Sequence, residues 1–256
     1  MISKYLSFLA KSTNQHGVHS PFVYGLVTSC IYKKSSPSVE DQLKIFFKRI
    51  KQNHTEIRIT DFGAGSKYFK NNKRKVSALA RKVGISKKYA LLLNRLVSHL
   101  EVNQALELGT SIGLATMAMC IDNKKIKIDT VEGCSEITKV ATSQFEHYQI
   151  KDQVIVYNEN IKNILPVLTS TKKYDLVYVD ANHQKEATLD YFEQCLQAKH
   201  NDSVFIFDDI NWSEAMQETW ETIKSHSEVK VTIDLFRWGL VFFRKEQNKE
   251  HFKIRF

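Results

Sequence analysis

The stretch ALELGTSIGLATMAMC, residues 105–120, decides the fold class of this chain. Its first residues, 105–108, have the composition of a short buried strand. The glycine-bearing loop 109–113 follows, and an apolar, helix-forming run begins at Leu114. A strand that enters a helix through a glycine loop is the ligand-binding turn of a Rossmann-like α/β unit. The stretch therefore predicts a cofactor loop at the carboxyl end of a strand.

The next predicted strand supports this interpretation. KIDTVE ends in Glu132, about 20 residues beyond the loop, where an acid in this architecture accepts hydrogen bonds from ribose hydroxyls. The glycines Gly109 and Gly113 have the spacing GxxxG, with side chains at Thr110 and Ser111. A pyrophosphate needs bare backbone at such positions. The spacing therefore favours a cofactor other than a dinucleotide.

A second glycine loop, TDFGAGSK at residues 60–67, lacks the features that follow the first. No strand ending in an acid comes after it, and it does not have the GxxxxGK[ST] spacing of a P-loop. We interpret it as a structural turn in which Gly63 and Gly65 adopt positive φ angles. The alternative is a wall or lid of the active site, with Lys67 or Arg74 reaching an anionic substrate.

The order of predicted elements gives the architecture. The first hundred residues read mostly as helices, and from residue 104 short β-branched runs alternate with amphipathic helices. Five β-then-α units predict a doubly wound, mostly parallel sheet that is covered on both faces. The runs 229–236 and 239–245 then predict a closing antiparallel hairpin. We expect a helical cap or lid over residues 1–100 and a Rossmann-like domain over residues 101–256.

Composition narrows the class of protein. The chain has 256 residues, 43% of them hydrophobic, and a net charge of +9. Its four cysteines are widely spaced and no apolar run is long enough to span a bilayer, which predicts reduced thiols in a cytoplasmic protein without a membrane segment. The segment 67–88 contains many Lys and Arg residues and no acid. We interpret it as a solvated helix surface, and nucleic-acid binding is the alternative.

Four motifs together resemble a known family: ELGTSIG at 107–113, VEGC at 131–134, YDLVYVDANH at 174–183 and FIFDDINW at 205–212. They look like class I S-adenosylmethionine (SAM)-dependent methyltransferases, within these the O-methyltransferases of the catechol and macrolide-sugar types. The resemblance covers about residues 100–245. It implies a seven-stranded, mostly parallel sheet whose last strand is antiparallel, and SAM as the cofactor. The N-terminal half looks like an uncharacterised bacterial subset of such enzymes.

Carried over residue by residue, the resemblance implies a complete cofactor site. The methionine end of SAM would lie against the first loop, the ribose against the acid of the second strand, and the adenine against the loops that follow. The residues concerned are Glu107, Gly109, Thr110, Ser111 and Gly113 for methionine, Glu132 for the ribose, and Gly133, Cys134, Asn160 and Ile161 for the adenine. Asp180 would face the methyl-transfer site.

The predicted catalytic residues are Asp180, Asp208 and Asp209, at positions that the resemblance implies, and His183, for which a helix-capping or hydrogen-bonded loop histidine is the alternative. In the resembling enzymes, the acids after strands four and five bind Mg²⁺, so Asp180, Asp208 and Asp209 are the predicted metal ligands. The alternative is that these acids contact SAM or cap loops without a metal. This chain has Asp209 where the catechol-type pattern has Asn, and His183 where it has Lys. The second departure makes His183 the candidate general base.

These residues predict a methyltransferase that acts on a hydroxyl of a small molecule. Two alternatives stay open: methylation of RNA or protein with the help of segment 67–88, and SAM binding without catalysis. No N/D-P-P-Y/F signature of base-methylating enzymes follows the fourth strand, where VDANH stands instead. The sequence does not identify the methyl acceptor. It is compatible with a homodimer but does not indicate one.

Overall fold

A computed structural model describes residues 2–60, 72–82 and 84–256 of the chain. The α-helices of these residues are α1 (Ile2–Lys11), α2 (Pro21–Leu26), α3 (Pro37–Gln52), α4 (Val76–Lys82), α5 (Lys87–His99), α6 (Leu114–Cys120), α7 (Ser135–His147), α8 (Ile161–Thr171), α9 (Lys185–Leu196) and α10 (Glu214–Ser225). The strands are β1 (Glu56–Arg58), β2 (Lys73–Lys75), β3 (Gln104–Leu108), β4 (Lys127–Val131), β5 (Val154–Tyr157), β6 (Leu176–Val179), β7 (Val204–Phe207), β8 (Val231–Asp234), β9 (Gly239–Phe242) and β10 (Glu250–Lys253).

Serine caps explain where several of the predicted helices begin. The hydroxyl oxygens of Ser20 and Ser36 accept hydrogen bonds from the backbone at the starts of α2 and α3, and each serine is followed by a proline. Ser86 and Ser213 cap α5 and α10 in the same way. Such a cap satisfies an N–H group that the helix itself cannot pair. The helices expected in the first hundred residues are therefore confirmed.

The backbone divides into two compact units. The first unit consists of Met1–Tyr32 and Leu165–Phe256, and the second consists of Lys33–Ile164. This division does not coincide with the predicted boundary after residue 100. The assignment of residues 1–100 as a lid stays a prediction.

The first unit contains five strands in the order β10-β8-β9-β7-β6. Strands β6 and β7 are parallel, whereas β9 runs antiparallel to both β7 and β8, as the predicted closing hairpin requires. All residues of β6 to β9 are buried. The near-continuous apolar runs of these strands therefore form the core of this unit.

Strand β10 is a difference from the seven strands that the resemblance implied. It pairs in parallel with β8, and the backbone next to Thr13 pairs in turn with the end of β10, with Thr13 N donating to Lys253 O at 2.8 Å. No residue of β10 is fully buried. Its sequence, EHFK, lacks the apolar run that marks the other strands, so the sequence pattern did not reveal it.

The second unit contains the parallel strands β3, β4 and β5 in that order. A separate antiparallel pair, β1 with β2, precedes them and places Ile57 opposite Arg74. Both of these side chains are buried, so the basic segment 67–88 is not exposed throughout. Apart from the β1–β2 pair, the two units contain eight strands, with helices between them, and the predicted Rossmann-like α/β class with an N-terminal helical extension is confirmed.

Several predictions concern residues that the structure leaves undescribed. Residues 61–71 lie outside the described ranges, so the DFGAGSK turn with Gly63, Gly65 and Lys67 stays a prediction. All four cysteines are buried thiols. Among the described helices, none combines the length and apolar composition that crossing a membrane requires. The cytoplasmic location stays a prediction.

The packing of β9 on α10 leads to a stability prediction. A Cβ atom on Gly239 would lie 2.5 Å from the Trp220 ring, which is buried. Because the Trp220 ring cannot move far in a packed core, the added methyl group strains the structure. Gly239→Ala is therefore expected to lower the free energy of unfolding by about 1 to 3 kcal/mol in chemical denaturation. The control is Gly25→Ala, where a Cβ meets no atom within 4 Å. Gly25→Ala is expected to be neutral or to stabilise α2 by up to about 1 kcal/mol. Equal unfolding midpoints for the two variants would contradict this packing.

Candidate functional site

The cofactor loop, residues 109–113, leaves the end of β3 in an unusual backbone conformation. Gly109, Ser111 and Gly113 have φ angles of 100°, 48° and 81°. The amides of Gly109 and Thr110 both donate to the carbonyl oxygen of Val131, at 3.0 and 3.1 Å, and so fasten the loop to the end of β4. Left-handed backbone is cheap for glycine and costs a side-chain-bearing residue about 1 kcal/mol or more. The loop therefore holds a strained residue, Ser111, at its centre.

Gly113 is required by packing as well as by its φ angle. A Cβ atom there would lie 2.6 Å from the Phe145 ring and 3.7 Å from the Ala141 side chain, both on α7. The second glycine of the GxxxG spacing therefore lets the start of α6 approach α7 closely.

Glu132 connects the cofactor loop to the loop that follows β4. One carboxylate oxygen accepts a hydrogen bond from the Ser111 amide at 3.0 Å, and the other accepts one from the Cys134 amide at 2.9 Å. The Asn158 side chain also donates to the Glu132 carbonyl oxygen at 2.8 Å. The side chain is half-buried and fixed in orientation. The structure thus places the predicted ribose-binding acid at the carboxyl end of β4, beside the predicted methionine loop.

Glu107 is a buried carboxyl group directly before the cofactor loop. Its Oε2 atom accepts hydrogen bonds of 2.6 Å from the hydroxyls of both Thr116 and Thr130. Within the described residues, its Oε1 atom is buried and accepts no hydrogen bond. Burial raises the pKa of Glu107 to about 7, against the lowering effect of the two threonine hydroxyls. An acceptor without a partner in a buried position suits a bound group that donates hydrogen bonds.

Thr110 belongs to the same hydrogen-bonded chain. Its hydroxyl lies 2.6 Å from that of Thr130. Since Thr130 directs its single proton to Glu107, Thr110 is the donor in this contact. The predicted residues Glu107, Gly109, Thr110, Ser111, Gly113 and Glu132 are therefore brought together by strands β3 and β4.

The residues predicted to lie beside the adenine have local structural partners. The Cys134 sulfur accepts a hydrogen bond from Thr60 N at 3.4 Å and lies 3.7 Å from Arg58 O. The Asn160 side chain accepts a hydrogen bond from Lys162 N at 3.0 Å and so caps the start of α8, where Ile161 is half-buried. Gly133 is also half-buried. Contact of these residues with adenine stays a prediction.

The predicted catalytic acids lie in the first unit, after β6 and β7. We call Asp180, Asp208 and Asp209 the acidic cluster. The Tyr178 hydroxyl lies between two of them, 3.1 Å from Asp208 and 3.4 Å from Asp180. The Asp208 side chain is fully buried, whereas Asp209 is about a quarter exposed. The cluster therefore concentrates negative charge in a poorly solvated place.

Arg237, from the turn between β8 and β9, pairs with this cluster. Its Nε and Nη2 atoms donate to the two oxygens of Asp208, at 2.8 and 3.0 Å, and Nε lies 3.4 Å from Asp209. Although burial opposes the charged form, the carboxylates of Asp208, Asp209 and Asp180 raise the pKa of Arg237 above its ordinary value. Burial and the charge of Asp208 raise the pKa of Asp209. The sequence analysis assigned Arg237 no role, although an arginine in the turn of a buried hairpin was a signal for it.

His183 lies on the loop after β6. Its Nε2 atom is 3.4 Å from Asp180 Oδ1. The φ angles of Asn182, His183 and Asp209 are 67°, 51° and 56°. Such left-handed residues concentrate at functional sites, where neighbouring structure holds them. The structure therefore brings Asp180 and His183 together, and Asp208 and Asp209 are held by the Arg237 contacts.

The acidic cluster does not fit the predicted magnesium site. Among the described residues, no group of three or more His, Cys, Asp or Glu side chains is arranged to hold a metal ion. Both oxygens of Asp208 accept hydrogen bonds from Arg237, and the Asp208 Oδ1 atom also accepts one from Asp209 N at 2.6 Å. A Mg²⁺ ion needs near-ideal octahedral oxygen ligands, and the guanidinium group already occupies those of Asp208.

Known proteins resemble this chain in sequence motifs and in fold. Residues 106–210 match the family model described as a methyltransferase domain. A methyltransferase from Podospora anserina, solved with S-adenosylhomocysteine (SAH) bound, has a TM-score of 0.61 at 13% identity over 89% of this chain and 97% of that chain. An O-methyltransferase from Bacillus cereus in complex with SAH has a TM-score of 0.56 at 16% identity over 92% and 99%.

A third structure is the O-methyltransferase TomG from Streptomyces achromogenes, which is involved in tomaymycin synthesis and was solved with SAM. Its TM-score is 0.56 at 18% identity, over 63% of this chain and 82% of that chain. At these identities the solved structures establish the fold. The chain therefore has the Rossmann-like fold, and its resemblance to class I methyltransferases is confirmed.

Glu107 gives a pH-dependent prediction. Folding raises the pKa of this carboxyl from an ordinary 4.5 to about 7, so the folded state binds the proton more tightly than the unfolded state. The contribution of Glu107 to the free energy of unfolding is therefore largest below pH 4.5 and is lost as the pH rises through 7. The neutral variant Glu107→Gln lacks this effect. Its stability relative to wild type is expected to grow by about 2 to 3 kcal/mol between pH 5 and pH 8.

The measurement is chemical denaturation of both proteins at the two pH values without added ligand. The exposed residue Glu101 offers a control, since Glu101→Gln removes a carboxyl group that is not buried. A stability difference between Glu107→Gln and wild type that is the same at both pH values would show that Glu107 is ionised in the folded protein.

Proposed function

We propose that this chain is a SAM-dependent methyltransferase that transfers the methyl group to an oxygen of a small-molecule acceptor. The observation that carries the proposal is the Glu132 carboxylate, which the amides of Ser111 and Cys134 hold at the end of β4. A carboxylate offers about four acceptor positions. The two backbone bonds fix the orientation of the carboxylate, and in this proposal its oxygens also accept the ribose hydroxyls.

The methionine end of the cofactor is assigned to the other residues of the same loop. Glu107 Oε1 is a buried acceptor without a hydrogen bond from the described residues. An ammonium group could donate to it directly or through a water molecule. The amides near Ser111 would face the methionine carboxylate, and Gly109 and Gly113 allow the backbone to approach it. When bound, SAM supplies a methyl group activated by its sulfonium centre.

We assign the acceptor chemistry to Asp180 and His183. A neutral imidazole can take the proton of an acceptor hydroxyl at neutral pH, and Asp180, 3.4 Å away, would orient the ring and stabilise its protonated form. The acceptor oxygen then bonds to the methyl carbon while the carbon–sulfur bond breaks, which leaves SAH. No metal ion takes part in this scheme, because Arg237 already pairs with Asp208.

The solved relatives support a small-molecule acceptor. Two of the three structures described above are named O-methyltransferases, and TomG serves tomaymycin synthesis. Nothing in the described residues favours RNA or protein as the acceptor. In the basic segment, Arg74 is buried while Lys73 and Lys75 are exposed. A homodimer, which the sequence left open, is not part of the proposal.

The first test of the proposal is cofactor binding. In calorimetry, the purified chain is expected to bind SAH with micromolar affinity. Glu132→Ala is expected to weaken binding at least tenfold, because it removes the ribose acceptor and frees the amides of Ser111 and Cys134. The control is Glu136→Ala on the first turn of α7, which removes only an exposed ion pair with Lys139 and should leave the affinity within twofold. Equal weakening in the two variants, or no SAH binding by wild type, would overturn the proposed cofactor site.

A further inference from the structure

The turn between β8 and β9, Leu235–Trp238, delivers a guanidinium group to the acidic cluster. We propose that Arg237 is the cation of this site, in the place that the sequence assigned to a divalent metal ion, and that the cluster therefore excludes Mg²⁺ and Mn²⁺. The part of the inference that concerns methyl transfer rests on the proposed function. The part that concerns metal exclusion does not.

The first argument is the geometry of the ion pair. Arg237 and Asp208 are joined by two nearly parallel hydrogen bonds of 2.8 and 3.0 Å. This bidentate arrangement is the strongest that a side-chain cation makes with a carboxylate. A metal ion could bind Asp208 only by breaking both bonds, which would leave a buried guanidinium without its partner.

The second argument is the charge of the cluster. The Asp208 side chain is 0% exposed, and an ionised carboxylate in such a place needs a cation within contact distance. Arg237 also lies 3.4 Å from Asp209, so one guanidinium serves two adjacent acids. A metal ion would normally fill this role in an acidic cluster. In this protein the Arg237 side chain, on the turn between β8 and β9, supplies the positive charge.

The third argument is that the turn is built to fix Arg237. The side chain of Asp234 accepts a hydrogen bond from Phe236 N at 2.7 Å. The side-chain amide of Asn211 donates to Phe236 O at 2.6 Å. Ile210 N donates to Arg237 O at 3.1 Å. Phe236 is held at a φ angle of 70°, which is rare for a residue with a large side chain. These hydrogen bonds fix the backbone of the turn and so determine the direction in which the Arg237 side chain extends.

Helix α1 adds a further support to the same turn. The rings of Tyr5 and Phe8 pack against the Phe236 ring, with centroids 4.8 and 5.4 Å away. Lys4 donates to Gln217 at 2.7 Å, and Gln217 donates in turn to Asn211 at 2.8 Å. The N-terminal helix therefore braces the loop that carries Arg237 from two directions. Arg237 is a positioning residue: it holds the acids in place and gives them a fixed counter-charge.

The inference has a consequence for the acceptor. A metal ion in a site of this kind binds two oxygens of one substrate and so selects acceptors with adjacent oxygens. A guanidinium that is engaged with Asp208 does not bridge two substrate oxygens in that way. We therefore expect this chain to methylate acceptors that have a single reactive hydroxyl. A pair of adjacent oxygens that could chelate a metal ion is not required.

The experiment is a titration of the purified 256-residue chain with Mn²⁺, in which the electron paramagnetic resonance signal of the free ion is measured. Wild type is expected to show no site with a Kd below about 1 mM. Arg237→Met, which keeps the length of the side chain and removes its charge, is expected to create a site that binds Mn²⁺ at least tenfold more tightly. Adding Asp208→Asn to that variant should abolish the new site.

Two further variants make the result specific. Arg237→Lys keeps the positive charge and should continue to exclude Mn²⁺. Arg244→Met is the matched control, because Arg244 is also a partly buried arginine that pairs with an acid, Asp202 at 3.1 Å, outside the cluster. It should leave Mn²⁺ binding unchanged.

Two outcomes would overturn the inference. One is a Mn²⁺ site in wild type that Asp208→Asn removes. The other is a folded Arg237→Met protein, as judged by its thermal unfolding, that gains no affinity for Mn²⁺. If Arg237→Met does not fold, the wild-type and Arg237→Lys titrations still decide whether the charged cluster admits a metal ion. Loss of SAH binding would concern the proposed function alone, because it leaves the Mn²⁺ result intact.

Discussion

Two hydrogen bonds to one carboxylate, from Ser111 N and Cys134 N to Glu132, determine the shape of the candidate cofactor site. They hold the loop after β3 against the loop after β4 and keep Ser111 in a left-handed conformation that it would otherwise avoid. Gly109 and Gly113 adopt the other positive φ angles of the loop without side-chain strain. The loop is therefore ordered by the chain itself, and a ligand would not have to supply the free energy of ordering it.

The first unit solves a different electrostatic problem. Three carboxylates lie close to one another with little solvent, and the positive charge comes from Arg237 on a neighbouring turn. Because the Asp208 side chain is buried, loss of its charged partner would be destabilising. The bonds from Asn211 and Ile210 and the aromatic contacts to Phe236 then fix the turn. The arrangement of the predicted catalytic acids and the stability of this region thus depend on the same arginine.

The sequence was most informative where the signal is local. The alternation of apolar strands with amphipathic helices, the GxxxG loop and the acid at Glu132 all lie within short stretches, so the fold class and the strand–loop–helix turn at residues 105–120 could be predicted. Strand β10 could not, because it is polar and is defined only by its pairing with β8. Arg237 lies 29 residues from Asp208 in sequence, so no local pattern reveals the contact that argues against a magnesium ion. The same holds for Glu107. Its hydrogen-bond donors, Thr116 and Thr130, are brought to it only by the packing of the fold.

A crystal structure of the chain soaked with SAH tests the central claim most directly. The expected result is SAH in the crevice formed by the cofactor loop, with both ribose hydroxyls within about 3 Å of the Glu132 carboxylate oxygens and the amino group near Glu107. Clear density for SAH at another position, or an unchanged and empty crevice at millimolar SAH, would contradict the claim that these loops form a cofactor site.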